Sequence, residues 1–255
     1  IHTSNSMTKN NNWTREETII AFELYCKTPF GRMHKGNPEI IELAKTITRT
    51  PSAVALKLCN FAHLDPTLPQ KGASHGSKQD QKIWDEFASN LESLIEAAHA
   101  IKKRLKMPVE SETDEPIDQI RETDKFATVK TRVGQRFFRA MILSSYDTKC
   151  CVTGIGLSEI LVASHIIPWP VDKDHRLNPR NGLCLNVMHD KVFDLGMMSL
   201  DDDYRVIFSS KIKDVAAKNG LDFLLRTEGH TITLPKRFLP DISLIQQHRI
   251  QNGFE

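Results

Sequence analysis

A histidine, an asparagine and two aspartates lie close together in the second half of the chain: His165, Asn181, Asp190 and Asp194. A neutral imidazole can take a proton from water, and carboxylate oxygens are ligands that suit Mg²⁺ and Mn²⁺ better than zinc. The side chain of Asn181 can hold a turn in place, because this residue directly precedes a glycine. These residue types together predict a hydrolytic site that uses a divalent metal ion.

The elements that must position these side chains are predicted in the order strand, loop, strand, helix. The β-branched and apolar run EILVASHIIPW predicts a strand that ends near its histidine, and LCLNV predicts a second short strand. HDKVFDLG predicts the start of a helix. On that helix Asp190 and Asp194 are four residues apart, so their side chains share one face, one turn apart.

Each of these features also has a purely structural explanation. Aspartates at a helix start stabilise the helix dipole, and Asn-Gly is a common turn dipeptide. His189 is adjacent to Asp190 and is an alternative metal ligand. We favour Asp190 because only it pairs with Asp194 across one helical turn.

Taken together, the segment resembles the HNH endonucleases, whose ββα-metal motif has a histidine on the first strand, an asparagine on the second and a metal ligand on the helix. The similarity covers roughly residues 130–205 and is specific to a branch found in bacterial restriction enzymes. The matching stretches are GQRFFR (134–139), Tyr146, CVTG (151–154), HIIPW (165–169), RLNPRNGLCL (176–185) and DKVFDLG (190–196).

The resemblance implies His165 as the general base, Asn181 as the anchor of the loop next to it, and Asp190 with Asp194 as ligands of Mg²⁺ or Mn²⁺. Asp190 stands where the last histidine of the commonest pattern would be. Ser164 stands where an acidic or histidine ligand is frequent. With one fewer strong ligand, we expect metal binding to depend more on substrate phosphate and water.

Arginines beside this segment are candidates for contacts with DNA phosphates. On the predicted helix TRVGQRFFRAMILSSY, Arg132, Arg136 and Arg139 recur three or four residues apart and share one face. A solvated helix face explains the same spacing. We expect Arg136, Arg139 and Arg176 to bind phosphates.

Residues 7–75 predict a separate helical module. Thr50 and Pro51 open the third of three short helices directly after a tight turn, an order similar to a helix-turn-helix. We expect Ser52 and Lys57, on the early turns of that helix, to contact DNA. A small helical packing domain explains the same pattern. The stretch also resembles, more loosely, a module often fused to this HNH branch.

The predicted fold class is α+β, with a helical, helix-turn-helix-like N-terminal module and a C-terminal ββα-metal nuclease domain. Residues 1–6, which precede Met7, are interpreted as a tag remnant. Residues 76–125 are predicted to form a helix and the acidic linker VESETDEPIDQIRETD, and residues 126–255 the nuclease domain.

Composition narrows the class of protein. The chain has 255 residues and a formal net charge of +2, with 40% apolar residues and no apolar run of about 18 residues that could cross a membrane. Its five cysteines include no C-x-x-C pair, so no structural zinc is expected, and an odd count is typical of a reduced cytoplasmic protein. We expect DNA, rather than a membrane, as the partner.

The leading hypothesis is therefore a metal-dependent DNA endonuclease of restriction type, with any dependence on cytosine modification left open. A DNA-binding protein with an inactive nuclease domain is one alternative. A nuclease of a mobile element or phage is another. One such site cuts one strand, so a double-strand break predicts a homodimer or two successive visits.

Overall fold

The structure, a computed structural model, describes residues 12–68, 76–107, 122–172 and 174–254. The predicted tag remnant and most of the predicted acidic linker lie outside these ranges. The described residues fall into two compact units. None of the described helices is long and apolar enough to cross a membrane.

The first unit is helical and, among the described residues, draws on 12–25, 31–64 and 76–107. Its helices in chain order are α1 (Arg15–Lys27), α2 (Pro38–Thr46), α3 (Pro51–Leu64), α4 (Lys78–Phe87) and α5 (Leu91–Arg104). The part of α1 that belongs to this unit ends at Tyr25. Local signals set their starts. Thr14 and Glu17 cap α1 reciprocally, and the side chain of Asn37 accepts from the backbone N–H of Glu39 at the start of α2.

The sequence predicts one helix over residues 80–106, and the structure has two. The side chain of Asn90 accepts a hydrogen bond from the backbone N–H of Ser93, which begins α5 after α4 has ended at Phe87. A single apolar periodicity therefore concealed a break that an asparagine cap creates.

Helix α3 lies in the core of the first unit, and this corrects the prediction that Lys57 contacts DNA. The Lys57 ammonium lies 2.5 Å from the carboxylate of Asp80 and 4.7 Å from the centre of the Trp13 ring, and both charged side chains are buried. Along α3 only Ser52 and Leu56 are exposed. The helix therefore lacks the basic face that phosphate contacts require.

The second unit draws, among the described residues, on 26–30, 65–68, 122–172 and 174–254, and it mixes helices with two small sheets. In chain order its elements are α6 (Glu122–Ser145), β1 (Leu161–His165), β2 (Gly182–Asn186), α7 (Val187–Asp194), β3 (Met198–Leu200), β4 (Val206–Phe208), α8 (Ser210–Ala216), α9 (Asp222–Leu225) and α10 (Ile242–Gln251). The predicted order of strand, loop, strand and helix is confirmed. The sequence also predicts a hairpin in SLDDDYRVIFSS and a helix at the C-terminus, and β3 with β4 and α10 confirm both. It predicts a further strand in HTITLP, which is wrong, because only an isolated bridge between Arg205 and Thr231 forms there.

Strands β1 and β2 pair antiparallel in a register that places His165 opposite Gly182. Helix α6 packs against both strands, and α7 follows β2 and packs back on them. A Cβ atom added at Gly182 would lie 2.4 Å from Ile142 and 2.7 Å from the ring of Phe138. The start of β2 therefore approaches α6 more closely than any side chain at position 182 allows.

We expect Gly182→Ala to lower the free energy of unfolding by about 1–3 kcal/mol, because the new methyl group overpacks the contact with α6. Chemical denaturation measures the change. Gly156→Ala is the matched control, since its added Cβ meets no atom nearer than 3.5 Å. Equal stabilities of the two variants would contradict this account of the packing.

Candidate active site

His165 is the last residue of β1 and is held between aromatic rings. Its imidazole stacks on Phe138 of α6, with ring centres 3.9 Å apart and planes 12° from parallel. The ring of Trp169 meets it edge-on at 5.5 Å. Because both rings limit rotation of the imidazole, the packing presents His165 in one orientation.

A hydrogen bond decides which nitrogen of His165 can act as a base. Nε2 lies 3.0 Å from the backbone oxygen of Arg176. A carbonyl oxygen only accepts, so Nε2 carries the hydrogen and Nδ1 carries the free electron pair. Burial lowers the pKa of His165, and the bond to Arg176 partly offsets that shift. The imidazole is therefore neutral at neutral pH, and Nδ1 can take a proton.

Asn181 is fully buried, and its amide joins the two ends of the loop between β1 and β2. Its side-chain oxygen accepts from the backbone N–H of Ile167 at 2.8 Å. Its side-chain nitrogen donates to the backbone oxygens of Ile167 at 3.1 Å and His175 at 3.3 Å. These contacts support the predicted role of Asn181 as a loop anchor, and they make it a positioning residue rather than one that touches the reacting atoms.

The three arginines predicted to bind phosphate differ in what they contact. Both terminal nitrogens of Arg139 donate to backbone oxygens, of Leu161 at 2.7 Å and Ser158 at 3.1 Å, so this side chain holds the start of β1 instead. Nε of Arg176 donates to the backbone oxygen of Trp169, which leaves its terminal amino groups for a phosphate. Arg136 is exposed on α6.

The two aspartates lie on α7, with Asp190 half-buried and Asp194 exposed. Burial raises the pKa of Asp190, while the Ser164 hydroxyl and the charge of Lys191 act in the opposite direction. Burial also raises the pKa of Asp194, and repulsion from Asp190 raises it further. The carboxylates are thus close enough to repel each other, and a bound cation would relieve that repulsion.

This donor set fits a hard divalent cation that keeps part of its water shell. Within the described ranges, no three or more histidine, cysteine, aspartate and glutamate side chains are grouped as a metal site. Mg²⁺ commonly binds through one or two carboxylates together with substrate phosphates and water. Asp190 and Asp194 satisfy that requirement without a closed set of protein ligands.

His189 has a chemistry that keeps it open as an alternative ligand. Its ring is buried, and Nδ1 donates to the side-chain oxygen of Asn186 at 3.2 Å. Nε2 therefore carries a free electron pair, and it has no hydrogen-bond partner among the described residues. Burial lowers the pKa of His189, which favours the neutral form that binds metals.

Two residues that touch His165 were not among the predicted site residues. Phe138 and Trp169 belong to the stretches GQRFFR and HIIPW, so the signal for both was present in the sequence. Their role as ring contacts depends on how α6 packs against β1, which a linear pattern does not contain.

Comparison with known families adds an independent finding about this segment. Residues 150–201 match the family model HNH_2, which is described as HNH endonuclease. The match includes β1, β2 and α7 with all four residues singled out by their chemistry. No curated protein matches the chain.

We expect Asn181→Asp to lower the free energy of unfolding by about 2–4 kcal/mol, because a carboxylate would face two carbonyl oxygens in a buried position. Thermal and chemical denaturation measure the loss. Asn219→Asp is the control, since Asn219 is exposed and its amide donates a single bond, to the backbone oxygen of Val215. Similar stability losses in both variants would show that the buried amide is not what holds the loop.

Proposed function

We propose, on the premise that residues 150–201 match the HNH endonuclease family model, that the protein is a metal-dependent DNA endonuclease in which His165 is the general base. The observation that carries the proposal is the bond from Nε2 of His165 to the backbone oxygen of Arg176. It leaves the electron pair on Nδ1, and burial keeps that nitrogen unprotonated at neutral pH.

In the proposed reaction, Nδ1 of His165 takes a proton from a water molecule as the water oxygen attacks a DNA phosphorus atom. The bond from phosphorus to the 3′ oxygen breaks, and that oxygen takes a proton from solvent. Asn181 and the rings around His165 hold the imidazole in place while the proton moves. Such positioned base catalysis contributes about 10²- to 10⁴-fold to a rate.

Asp190 and Asp194 are the proposed ligands of a Mg²⁺ or Mn²⁺ ion. When bound, the ion supplies positive charge that stabilises the charge developing on the phosphate and the leaving oxygen. Burial raises the pKa of Asp194 and repulsion from Asp190 raises it further, which supports this assignment because the two carboxylates are near enough to interact. His189 is the alternative ligand from the protein.

DNA contacts in this proposal come from the second unit. The exposed side chain of Arg136 and the terminal amino groups of Arg176 are the proposed phosphate contacts. Arg139 is left out because its guanidinium holds β1. Lys57 is left out because it is buried against Asp80.

The restriction role is proposed from the motif pattern, which resembles the branch found in bacterial restriction enzymes. Purified protein incubated with cytosine-modified and unmodified plasmid, in Mg²⁺ and in Mn²⁺, tests activity and modification dependence together. Nicked plasmid that appears before linear plasmid would indicate single cuts in succession. Linear product that appears directly would favour a homodimer that cuts both strands. No cleavage of any plasmid would favour a DNA-binding protein with an inactive domain.

We expect His165→Ala to lower the cleavage rate by about 10²- to 10⁴-fold and to leave DNA affinity within about threefold, because it removes proton transfer and no phosphate contact. Plasmid cleavage and fluorescence anisotropy measure the two quantities. His230→Ala is the control, since His230 is exposed and lies outside the matched segment. A wild-type cleavage rate in His165→Ala would refute the role of His165.

We expect Asp190→Asn and Asp194→Asn each to weaken Mn²⁺ binding by at least about tenfold, because each replaces a charged ligand by a neutral one. Titration calorimetry on the full chain measures the affinity. His189→Ala should have a smaller effect, and Asp222→Asn, at an exposed position that begins α9, should have none. Loss of binding in His189→Ala alone would move the ligand role from Asp190 to His189.

A further inference from the structure

The loop between β1 and β2 contains an ion pair that the proposed reaction does not use. Nδ1 of His175 lies 2.5 Å from one carboxylate oxygen of Asp172. The other oxygen of Asp172 accepts from the backbone N–H groups of Asp174 at 3.0 Å and His175 at 3.1 Å. Both oxygens of one carboxylate therefore contact the two residues that directly precede Arg176.

This ion pair lies one peptide bond away from the oxygen that orients the general base. The backbone oxygen of His175 accepts from the Asn181 amide at 3.3 Å and from the backbone N–H of Asn178 at 3.2 Å. The next backbone oxygen, of Arg176, accepts from Nε2 of His165. The side chain of His175 is therefore anchored on one side and its backbone on the other, directly before the residue whose oxygen accepts from His165.

His175 also interacts electrostatically with the carboxylates near it. Burial raises the pKa of Asp172, but the hydrogen bonds from His175, the charge of His175 and the backbone N–H of Asp174 together lower it overall. His175 also lowers the pKa of Asp241, the cap of α10, alongside the larger effects of Ser243 and Arg180. Two carboxylates, one in its own loop and one at the start of α10, thus interact with this imidazole.

We propose that Asp172 and His175 are positioning residues for His165, which they hold in its productive orientation through the backbone oxygen of Arg176. The inference deepens the proposed function and rests on it, since it assumes that His165 is the base. The pair contributes little to the stability of the fold, because the His175 side chain is 45% exposed and exposed ion pairs contribute only about 0–1 kcal/mol. Positioning of His165 gives the pair a role that stability alone does not.

His175→Ala in the full chain is the primary test. The bond to Arg176 raises the pKa of His165, so a displaced oxygen lowers that pKa. We expect the NMR titration of the His165 ring in the metal-free protein, assigned by comparison with His165→Ala, to move to lower pH. A base works unprotonated, so the acid limb of the cleavage profile should also move to lower pH. On the plateau, kcat should fall about tenfold to a hundredfold with KM unchanged.

A conservative replacement separates positioning from general damage. In His175→Asn an amide N–H can replace the Nδ1–H group that contacts Asp172, so this variant should recover most of kcat and the wild-type titration of His165. Asp172→Ala breaks the same pair from the other side and should reproduce the effects of His175→Ala. His230→Ala should change neither quantity.

An unchanged titration of His165 in both His175→Ala and Asp172→Ala would overturn the proposal, whatever happens to the rate. A loss of kcat with an unmoved acid limb and a lowered melting temperature would also overturn it, because that combination indicates unfolding instead of misplacement. The NMR titration needs no nuclease activity. A wild-type protein that fails to cleave DNA would refute the proposed function, while the titration would still decide whether the pair positions His165.

Discussion

The geometry of the candidate site depends above all on the buried amide of Asn181. One side chain accepts from and donates to the backbone of Ile167 and also donates to the backbone of His175, so it closes the loop between β1 and β2 at both ends. A buried amide without these partners would cost about 1–3 kcal/mol. These bonds therefore favour one conformation of the loop. The backbone oxygen of Arg176, which orients His165, belongs to this loop.

The imidazole of the candidate site is largely buried, whereas its carboxylates are partly or wholly exposed. His165 is packed against Phe138, and Gly182 lets β2 approach the same ring closely, so the core sets the position of the imidazole, while the Arg176 oxygen sets its tautomer. Asp190 and Asp194 instead lie partly or wholly in solvent on α7, where charge is less costly. A largely buried, oriented imidazole together with partly exposed carboxylates on α7 suits the proposed hydrolysis of a large, anionic substrate.

The first unit shows how a buried charge can be mistaken for a binding charge. Lys57 has the sequence position of a DNA contact on a recognition helix, yet Asp80 neutralises it inside the unit and Trp13 covers it. A buried lysine without Asp80 would be strongly destabilising, so the pair specifies how α3 and α4 pack. Helical content in this unit was predictable, but the helix-turn-helix function assigned to it was not supported by the surface of α3.

By itself the sequence determined the order of strand, loop, strand and helix, the caps of α1 and α2, and the grouping of His165 with two aspartates one turn apart, because periodicity, capping and residue spacing act over a few neighbouring residues. Only the tertiary structure decided which nitrogen of His165 is free, that Arg139 holds β1, and that Lys57 is buried. Each of those outcomes depends on a partner between 11 and 23 residues away in the chain. Packing chooses such partners, and no local pattern records them.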